Sequence, residues 1–428
     1  MDTGLKILQV NTRDLGGAAN ACIRLHLSLL DRDVHSSLLL RKKARNIQES
    51  FRFDSVSRLD KTKMKLRKVL HELKLGGDPS RSKEEVMQAR FVKSLAKGSE
   101  YFSFPKTSLD ITRTRLYQEA DIIHLHWVAD FLDYPSFFRK NKKPVVWTLH
   151  DMGPFQGGTH YEEKYLGMTE TGMPKENLLS DDVREMMRRN LAIKRNALEG
   201  VQNVNVVAPS RWLTNLSAGS ELFGRFPHTT IPYGLNTKTF APRDKNFSRE
   251  IFGLPKDKIC LLFVADNLNN YRKGFSYLKH ALSQIENENV VLCAIGQRSA
   301  ELPQERLYFL DRIEDDRMMS LAYSAADAFI IPSVEDNFPN TVLEALLCGT
   351  PVIGFAVGGI AEMVVDEQNG LLSRQVNAES LKETIQKFLS GAIAFHRNEI
   401  REKALEKYDL SVQARAYLDL YKNVLHNS

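Results

Sequence analysis

Residues 328–357 read AFIIPSVEDNFPNTVLEALLCGTPVIGFAV, and their order of apolar runs, loop formers and helix boundaries decides the fold. AFIIPS (328–333) is a short apolar run ending in loop residues, the pattern of a strand buried on both faces. The spacing predicts a helix that begins at Pro339 or Asn340 and stops at Gly349. Proline suits the first helical position, where its missing N–H would have gone unpaired, and glycine suits the position just past the end. Val342, Leu343, Leu346 and Leu347 form an apolar face for packing, and PVIGFAV (351–357) returns as a second strand. The unit is strand, crossover helix, parallel strand.

The same alternation runs outward in both directions. LKILQV (5–10), SSLLL (36–40), DIIHLH (121–126), PVVWTL (144–149) and VNVVAP (204–209) read as strands of the first half. ICLLFVA (259–265), VVLCAIG (290–296) and LYFL (307–310) join the two already named in the second. The expected class is α/β, with two Rossmann-like doubly wound domains facing a central cleft. The turn-rich stretch IPYGLNTKTFAPRDKNF (231–247) is read as the hinge. Domains are expected at 1–234 and 235–405, and residues 400–425 have the pattern of an amphipathic helical ending.

A chain of 428 residues with 43% hydrophobic content is too long for one core and suits two domains. The N-terminus MDTGLKILQV lacks a basic region followed by an apolar one, and no stretch approaches the roughly 18 apolar residues of a membrane span. The expected location is cytoplasmic. Cys22, Cys260, Cys293 and Cys348 form no CxxC pair, so zinc and redox work are not expected. The net charge of +6 is concentrated early, in Arg41, Lys42, Lys43 and Arg45, then Arg58, Lys61, Lys63, Lys65, Arg67, Lys68 and Lys74. Exposed aromatics interleaved with these cations are not expected, which argues against nucleic acid. The segment KTKMKLRKVLHELKL (61–75), with Met64, Val69 and Leu73 near one face, could rest on anionic lipid, so a peripheral contact with the inner face of a membrane is an expectation; a solvated helix is the alternative.

The chemistry starts at the loop of the opening stretch. The amides of Asn340, Thr341 and Val342 lack intrahelical partners and sit at the positive end of the helix dipole, which suits a diphosphate. Glu344 lies one turn beyond Asn340 on the same face, and Asp336 lies in the preceding loop. Carboxylates accept hydrogen bonds from vicinal diols, so the combination suits a sugar nucleotide; an ordinary capped helix in a βαβ unit is the alternative. Arg272 and Lys273, after the first strand of the second half, are suited to a leaving diphosphate, with a solvated turn as the alternative. Gly16 and Gly17, between the first strand and an Ala-rich helix, would let backbone approach phosphate, as would Gly358 and Gly359 after PVIGFAV; plain turns are the alternative. His124, His126, His150 and Asp151 cluster at neighbouring strand ends, where histidines satisfied by backbone are commoner than a metal site.

The stretch PNTVLEALLCGTPVIGFAVGGIAEMV resembles the E-x7-E region of the family 4 retaining glycosyltransferases of GT-B fold, and DIIHLHWVADF through PVVWTLHDMGPFQGGTHY is similar to their colanic-acid, exopolysaccharide branch. The resemblance implies that Asp336 meets the donor sugar hydroxyls and Glu344 the nucleotide ribose. It departs from the family at Asp336, where glutamate is usual, while Glu335 sits one residue early. Asn337, Phe338 and Pro339 replace the glycine-rich loop, Thr159 replaces a cysteine, and Ala265-Asp266 replaces a Gly-Arg pair that Arg272 could restore. The resemblance also places His150 beside the reacting sugar, Gly16 and Gly17 opposite the donor, the loop at Gly358 and Gly359 beside sugar and diphosphate, and the nucleotide base near Asp311 and Arg312. Residues 406–428 are implied to return to the first domain.

The expected activity is a hexosyl transfer with retention, from a nucleotide diphosphate sugar to a glycan or lipid-linked glycan, in surface polysaccharide biosynthesis. The catalytic candidates are His150, Asp336, Arg272 and Lys273; no metal or other cofactor is expected. Two other classes remain open: a nucleotide-sugar epimerase of the same fold, needing further acid and base carboxylates, and a non-catalytic sugar-nucleotide or glycan binder.

Overall fold

The structure is a computed structural model that describes residues 4–54, 83–96, 98–297 and 307–426. Its first half contains β1 (Lys6–Arg13), β2 (His35–Lys42), β3 (Ser50–Arg52), β4 (Ile122–Leu125), β5 (Val145–Thr148), a hairpin of β6 (Tyr165–Met168) and β7 (Pro174–Glu176), β8 (Val204–Ala208) and β9 (His228–Thr230). All but the hairpin form one parallel sheet in the order β3-β2-β1-β4-β5-β8-β9. The second half contains β10 (Ile259–Asn267), β11 (Val290–Gln297), β12 (Leu307–Leu310), β13 (Ala328–Ile331), β14 (Val352–Phe355) and β15 (Gly370–Ser373). They are parallel in the order β12-β11-β10-β13-β14-β15. In each sheet the strand order reverses once, between β1 and β4 and between β10 and β13. Crossovers leave to opposite faces there, opening a crevice beyond the carboxyl ends of the strands. This is the doubly wound α/β architecture expected from the sequence.

Each sheet is apolar on both faces. One face of the first buries Phe131, Phe137, Trp147 and Phe223, and the other buries Leu5, Ile7, Leu25 and Leu29. The second sheet packs Leu262, Val342, Leu343 and Leu346 on one side and Leu261, Phe263, Leu278 and Ile353 on the other. Each such side chain contributes about 1.5–3 kcal/mol. Cys22, Cys260, Cys293 and Cys348 are buried free thiols.

The chain passes between the sheets at two places that touch. The Leu235 N–H donates to Tyr408 O at 2.9 Å, and the Leu410 N–H donates to Leu235 O at 3.0 Å. The Thr237 hydroxyl donates to the Asp409 carboxylate at 2.6 Å. A Cβ on Gly234 would lie 2.8 Å from the Leu410 Cα, so only glycine allows this approach. The C-terminal ending is two helices broken at Asp409 rather than one that changes domain at residue 406. The helix Arg397–Tyr408 buries Ile400, Ala404 and Tyr408 in the second core, and the helix Leu410–His426 buries Tyr417, Tyr421 and Val424 against the first sheet.

No helix among the described residues is long and apolar enough to cross a membrane. The basic segment 61–75, with Arg58, lies outside the described residues. Of the earlier cations, Arg41 donates to Asp130 O, Lys43 to Ser50 O at 2.7 Å and Arg45 to Asn20 Oδ1 at 3.0 Å.

Candidate active site

A cleft of about 360 Å³ lies where the carboxyl ends of the two sheets face each other. Gly16, Gly17, His150, Arg272, Lys273, Asp336, Asn337, Phe338, Pro339, Asn340, Thr341 and Glu344 line it together. Val342, Gly358 and Gly359 do not.

Asp336 sits in the loop after β13, and the cations after β10 close on it. The Lys273 ammonium lies 2.6 Å and an Arg272 guanidinium nitrogen 3.4 Å from the same carboxylate oxygen, while the other accepts from the Asn337 amide at 3.1 Å. Burial raises the carboxyl's pKa, but the two cations outweigh it and hold the group ionised, below its ordinary value. Arg272 also donates to Glu100 Oε1 at 2.8 Å and to Glu335 O at 2.9 Å, with its guanidinium 3.9 Å from the centre of the Tyr161 ring. Glu335 turns the other way, accepting from the Glu162 amide at 3.1 Å and lining a separate cavity. Of the two adjacent acids, Asp336 is therefore the one at the cleft.

The helix Asn340–Leu347 begins after Pro339, which takes extended backbone angles and provides no side-chain cap. Asn340 and Thr341 present their N–H groups at the cleft. Val342 does not: its N–H donates to Pro339 O at 3.1 Å, and its side chain is in the core, so two of the three expected amides remain at the cleft. Asn340 Nδ2 donates across the cleft to Gly17 O at 3.1 Å. Glu344 is held at both oxygens, by Arg24 from the first half at 3.3 Å and by the Tyr323 hydroxyl at 3.0 Å. Burial raises its pKa and Arg24 opposes the rise. Arg24 also reaches Asp316 at 3.4 Å and Asn340 Oδ1 at 3.4 Å, bridging the two halves. Nothing in its helical context marked Arg24 beforehand; its role appears only when the halves face each other.

Gly358 and Gly359 pack against the Asp336 loop and are not among the residues that line the cleft. A Cβ on Gly358, whose φ is +50°, would lie 2.1 Å from Asp336 O, and one on Gly359 would lie 1.5 Å from Asn337 O. The pair lets the loop backbone close, and the Gly359 N–H donates to Asp336 O at 3.1 Å. Asn337 is buried and spans the halves: its Nδ2 donates to His150 O at 3.1 Å, and its Oδ1 accepts from the Ser210 hydroxyl at 2.6 Å.

His150 is placed at the cleft, but both ring nitrogens are engaged within the protein rather than offered to a sugar. The tautomers follow from one fixed acceptor, the Gln48 carbonyl, 2.8 Å from His26 Nε2. Neutral His26 donates there, so its Nδ1 accepts from the Ser36 hydroxyl at 2.8 Å, and Ser36 Oγ in turn accepts from Gln9 Nε2 at 3.4 Å. Gln9 Oε1 then faces His126 Nε2 at 2.6 Å, His126 Nδ1 accepts from His150 Nε2 at 3.1 Å, and His150 Nδ1 accepts from the Tyr233 hydroxyl at 2.6 Å. Burial lowers the pKa of His150 to about 4 and holds His124 and His126 well below the usual range, which keeps the relay neutral. His124 bonds Tyr421 and Thr148 at 2.6 and 2.7 Å. Asp151 is occupied by His160 at 2.7 Å and by Trp127 at 2.8 Å. Among the described residues, no group of three or more His, Cys, Asp or Glu is placed to hold a metal ion. Gln9, His26, Ser36 and Tyr233 are members of the relay that the sequence pattern did not mark; of these, Tyr233, from the hinge, lines the cleft.

Comparison with known proteins bears on the fold and on the second half of the chain. Residues 244–407 match the family model of the glycosyl transferases group 1. Over 190 residues the chain is 30% identical to an uncharacterized glycosyltransferase of Methanocaldococcus jannaschii, covering 41% of this chain and 48% of that protein. It spans about half the length of the curated relatives it matches. Sucrose-phosphate synthase from Thermosynechococcus elongatus superposes with a TM-score of 0.70 at 19% identity, over 99% of this chain and 100% of that one. Anabaena HepE, in complex with UDP and glucose, superposes with a TM-score of 0.63 at 16% identity, over 98% and 99%. At such identities these likenesses speak for the fold alone. The chain has the GT-B fold, and its segment 244–407 matches the model of the group 1 glycosyl transferases.

Proposed function

We propose that the protein is a retaining glycosyltransferase that moves a hexosyl group from a nucleotide diphosphate sugar to a hydroxyl of a glycan or lipid-linked glycan in surface polysaccharide synthesis. The observation that carries the reading is the convergence at one cleft of Arg272, Lys273 and the first amides of the helix Asn340–Leu347, flanked by Asp336 and Glu344. The group 1 match over 244–407 supports it, as does the UDP and glucose complex of HepE.

In this reading Glu344 accepts from the ribose hydroxyls and the amides of Asn340 and Thr341 hold the diphosphate. The bond from the sugar C1 to the β-phosphate oxygen breaks, its electrons staying on the phosphate. Arg272 and Lys273 stabilise that growing charge, so the reading needs no metal at the diphosphate. The acceptor oxygen bonds C1 on the same face, and its proton passes to the departing phosphate. Asp336, ionised, accepts from donor sugar hydroxyls and keeps the two cations in place. His150 acts as a positioning residue through Tyr233.

The experiment is incubation with UDP-, GDP-, ADP- and dTDP-sugars and glycan acceptors, following nucleoside diphosphate release and the anomeric configuration of the product by proton NMR. Release that depends on acceptor, with the donor's configuration kept, is expected. Conversion of the donor to an isomeric sugar nucleotide without acceptor would identify an epimerase, and binding without turnover a non-catalytic protein.

A further inference from the structure

Behind the wall formed by Arg272 lies a second cavity of about 250 Å³, also built from both halves of the chain. From the first half come Glu100, Glu162, Glu163, Tyr165 and Trp212; from the second come Tyr271, Arg272, Glu335 and the backbone at Gly358. Arg272 faces both cavities, and the neighbours Asp336 and Glu335 point one into each. The cavity therefore adjoins the place where a donor sugar would meet Asp336.

Three half-buried rings, Tyr165, Trp212 and Tyr271, offer apolar faces with polar edges, suited to the C–H face of a sugar ring. Its charge is one-sided. Four glutamates line it against Lys164 and Arg272, and Arg272 is already paired with Glu100 and Asp336. Glu162, Glu163 and Glu335 form no ion pair among the described residues; Glu335 accepts only from backbone amides. Carboxylates without cations accept hydrogen bonds from hydroxyls and repel anions. Burial, with Glu100 beside Glu163 and Glu162 beside Glu335, lifts the pKa of Glu163 and Glu335 to about 7, so the charge they set against an anion is full only above that pH.

We propose that this cavity is the acceptor subsite, and that it takes a sugar residue bearing no anionic group, stacked on Trp212 with hydroxyls hydrogen-bonded to Glu163 and Glu335. The assignment rests on the transferase reading above and adds to it the acceptor's place and class. Phosphorylated or uronate acceptors are excluded by charge rather than by size.

The test is calorimetric titration of the full chain at pH 8, without nucleotide, with maltotriose, cellotriose and mannotriose, and separately with two anionic trisaccharides of the same length, a 6-phosphorylated maltotriose and trigalacturonate. At least one neutral trisaccharide is expected to bind at least tenfold more tightly than either anion. Trp212→Leu is expected to weaken that binding at least fivefold, and the double variant E163Q/E335Q to narrow the gap to the anions to under threefold. Equal or tighter binding of the anions, no binding of any neutral trisaccharide, or neutral binding unmoved by Trp212→Leu would each overturn the assignment. Titration with the four nucleoside diphosphates in the same buffer keeps the two readings apart. Failure there strikes the donor reading, whereas failure with the sugars strikes only the subsite.

Discussion

Replacing Glu344 by glutamine changes one charge and almost no shape, at a side chain where the structure allows the cost to be worked out. Arg24 and Tyr323 each occupy one oxygen, at 3.3 and 3.0 Å. A carboxylate has about four lone-pair sites, so about two remain for a ribose diol. Two hydrogen bonds to a charged acceptor, about 1.5–3 kcal/mol each, would become neutral bonds of about 0.5–1.5 kcal/mol. The net loss is about 2–3 kcal/mol, a rise in Kd of roughly 30- to 150-fold at about 1.4 kcal/mol per tenfold. Fold stability should move little, because the amide can accept from Arg24 and donate to the Tyr323 oxygen. Calorimetric titration with the nucleoside diphosphate that binds the wild type best measures the effect, and urea unfolding controls for structure. A Kd within about threefold of wild type would refute the assignment of Glu344 to the ribose.

Tyr233→Phe removes the only donor that the relay gives His150 Nδ1, leaving a buried acceptor unpaired at a cost of about 1–3 kcal/mol in urea unfolding. Asn337→Ala deletes the bonds to His150 O and Ser210 that tie the halves, so small-angle scattering should report a larger radius and proteolysis at the hinge should quicken. Glu335→Gln tests the raised carboxyl. A group that titrates near 7 when folded and near 4.5 when unfolded contributes stability fully present below pH 4.5 and lost as pH rises through 7. Glutamine should thus be about equal to wild type at pH 5 and more stable by about 1–3 kcal/mol at pH 8; a difference that does not change with pH would contradict the shift.

The buried parallel strands were legible because each is a continuous apolar run, and all ten that the sequence pattern marks are present. The strands it left out are short or peripheral. SFR in β3 and HTT in β9 have a neighbour on one side only, and the β6–β7 hairpin lies outside both sheets, so their residues carry no two-sided apolar signature. The helix Asn340–Leu347 was marked by Pro339 and Gly349, which are local signals. What could not be read was partnership across the cleft. Arg24, Tyr233 and Asn337 act through residues more than 80 positions away in sequence, and no local spacing encodes such a contact. Gly358 and Gly359 stand out in the sequence, but the backbone they meet, at Asp336 and Asn337, does not, since a glycine reports a close approach without naming what approaches.

The central claim is that the cleft holds a nucleotide diphosphate sugar through Arg272, Lys273, the Asn340 helix end and Glu344. Thermal unfolding with and without UDP-, GDP-, ADP- and dTDP-sugars tests it most directly. At 100-fold excess over Kd, one donor should stabilise the protein by about 2.7 kcal/mol, and the same donor should lose most of that effect on the Lys273→Ala variant. An unfolding temperature unchanged by every member of the panel would contradict the account.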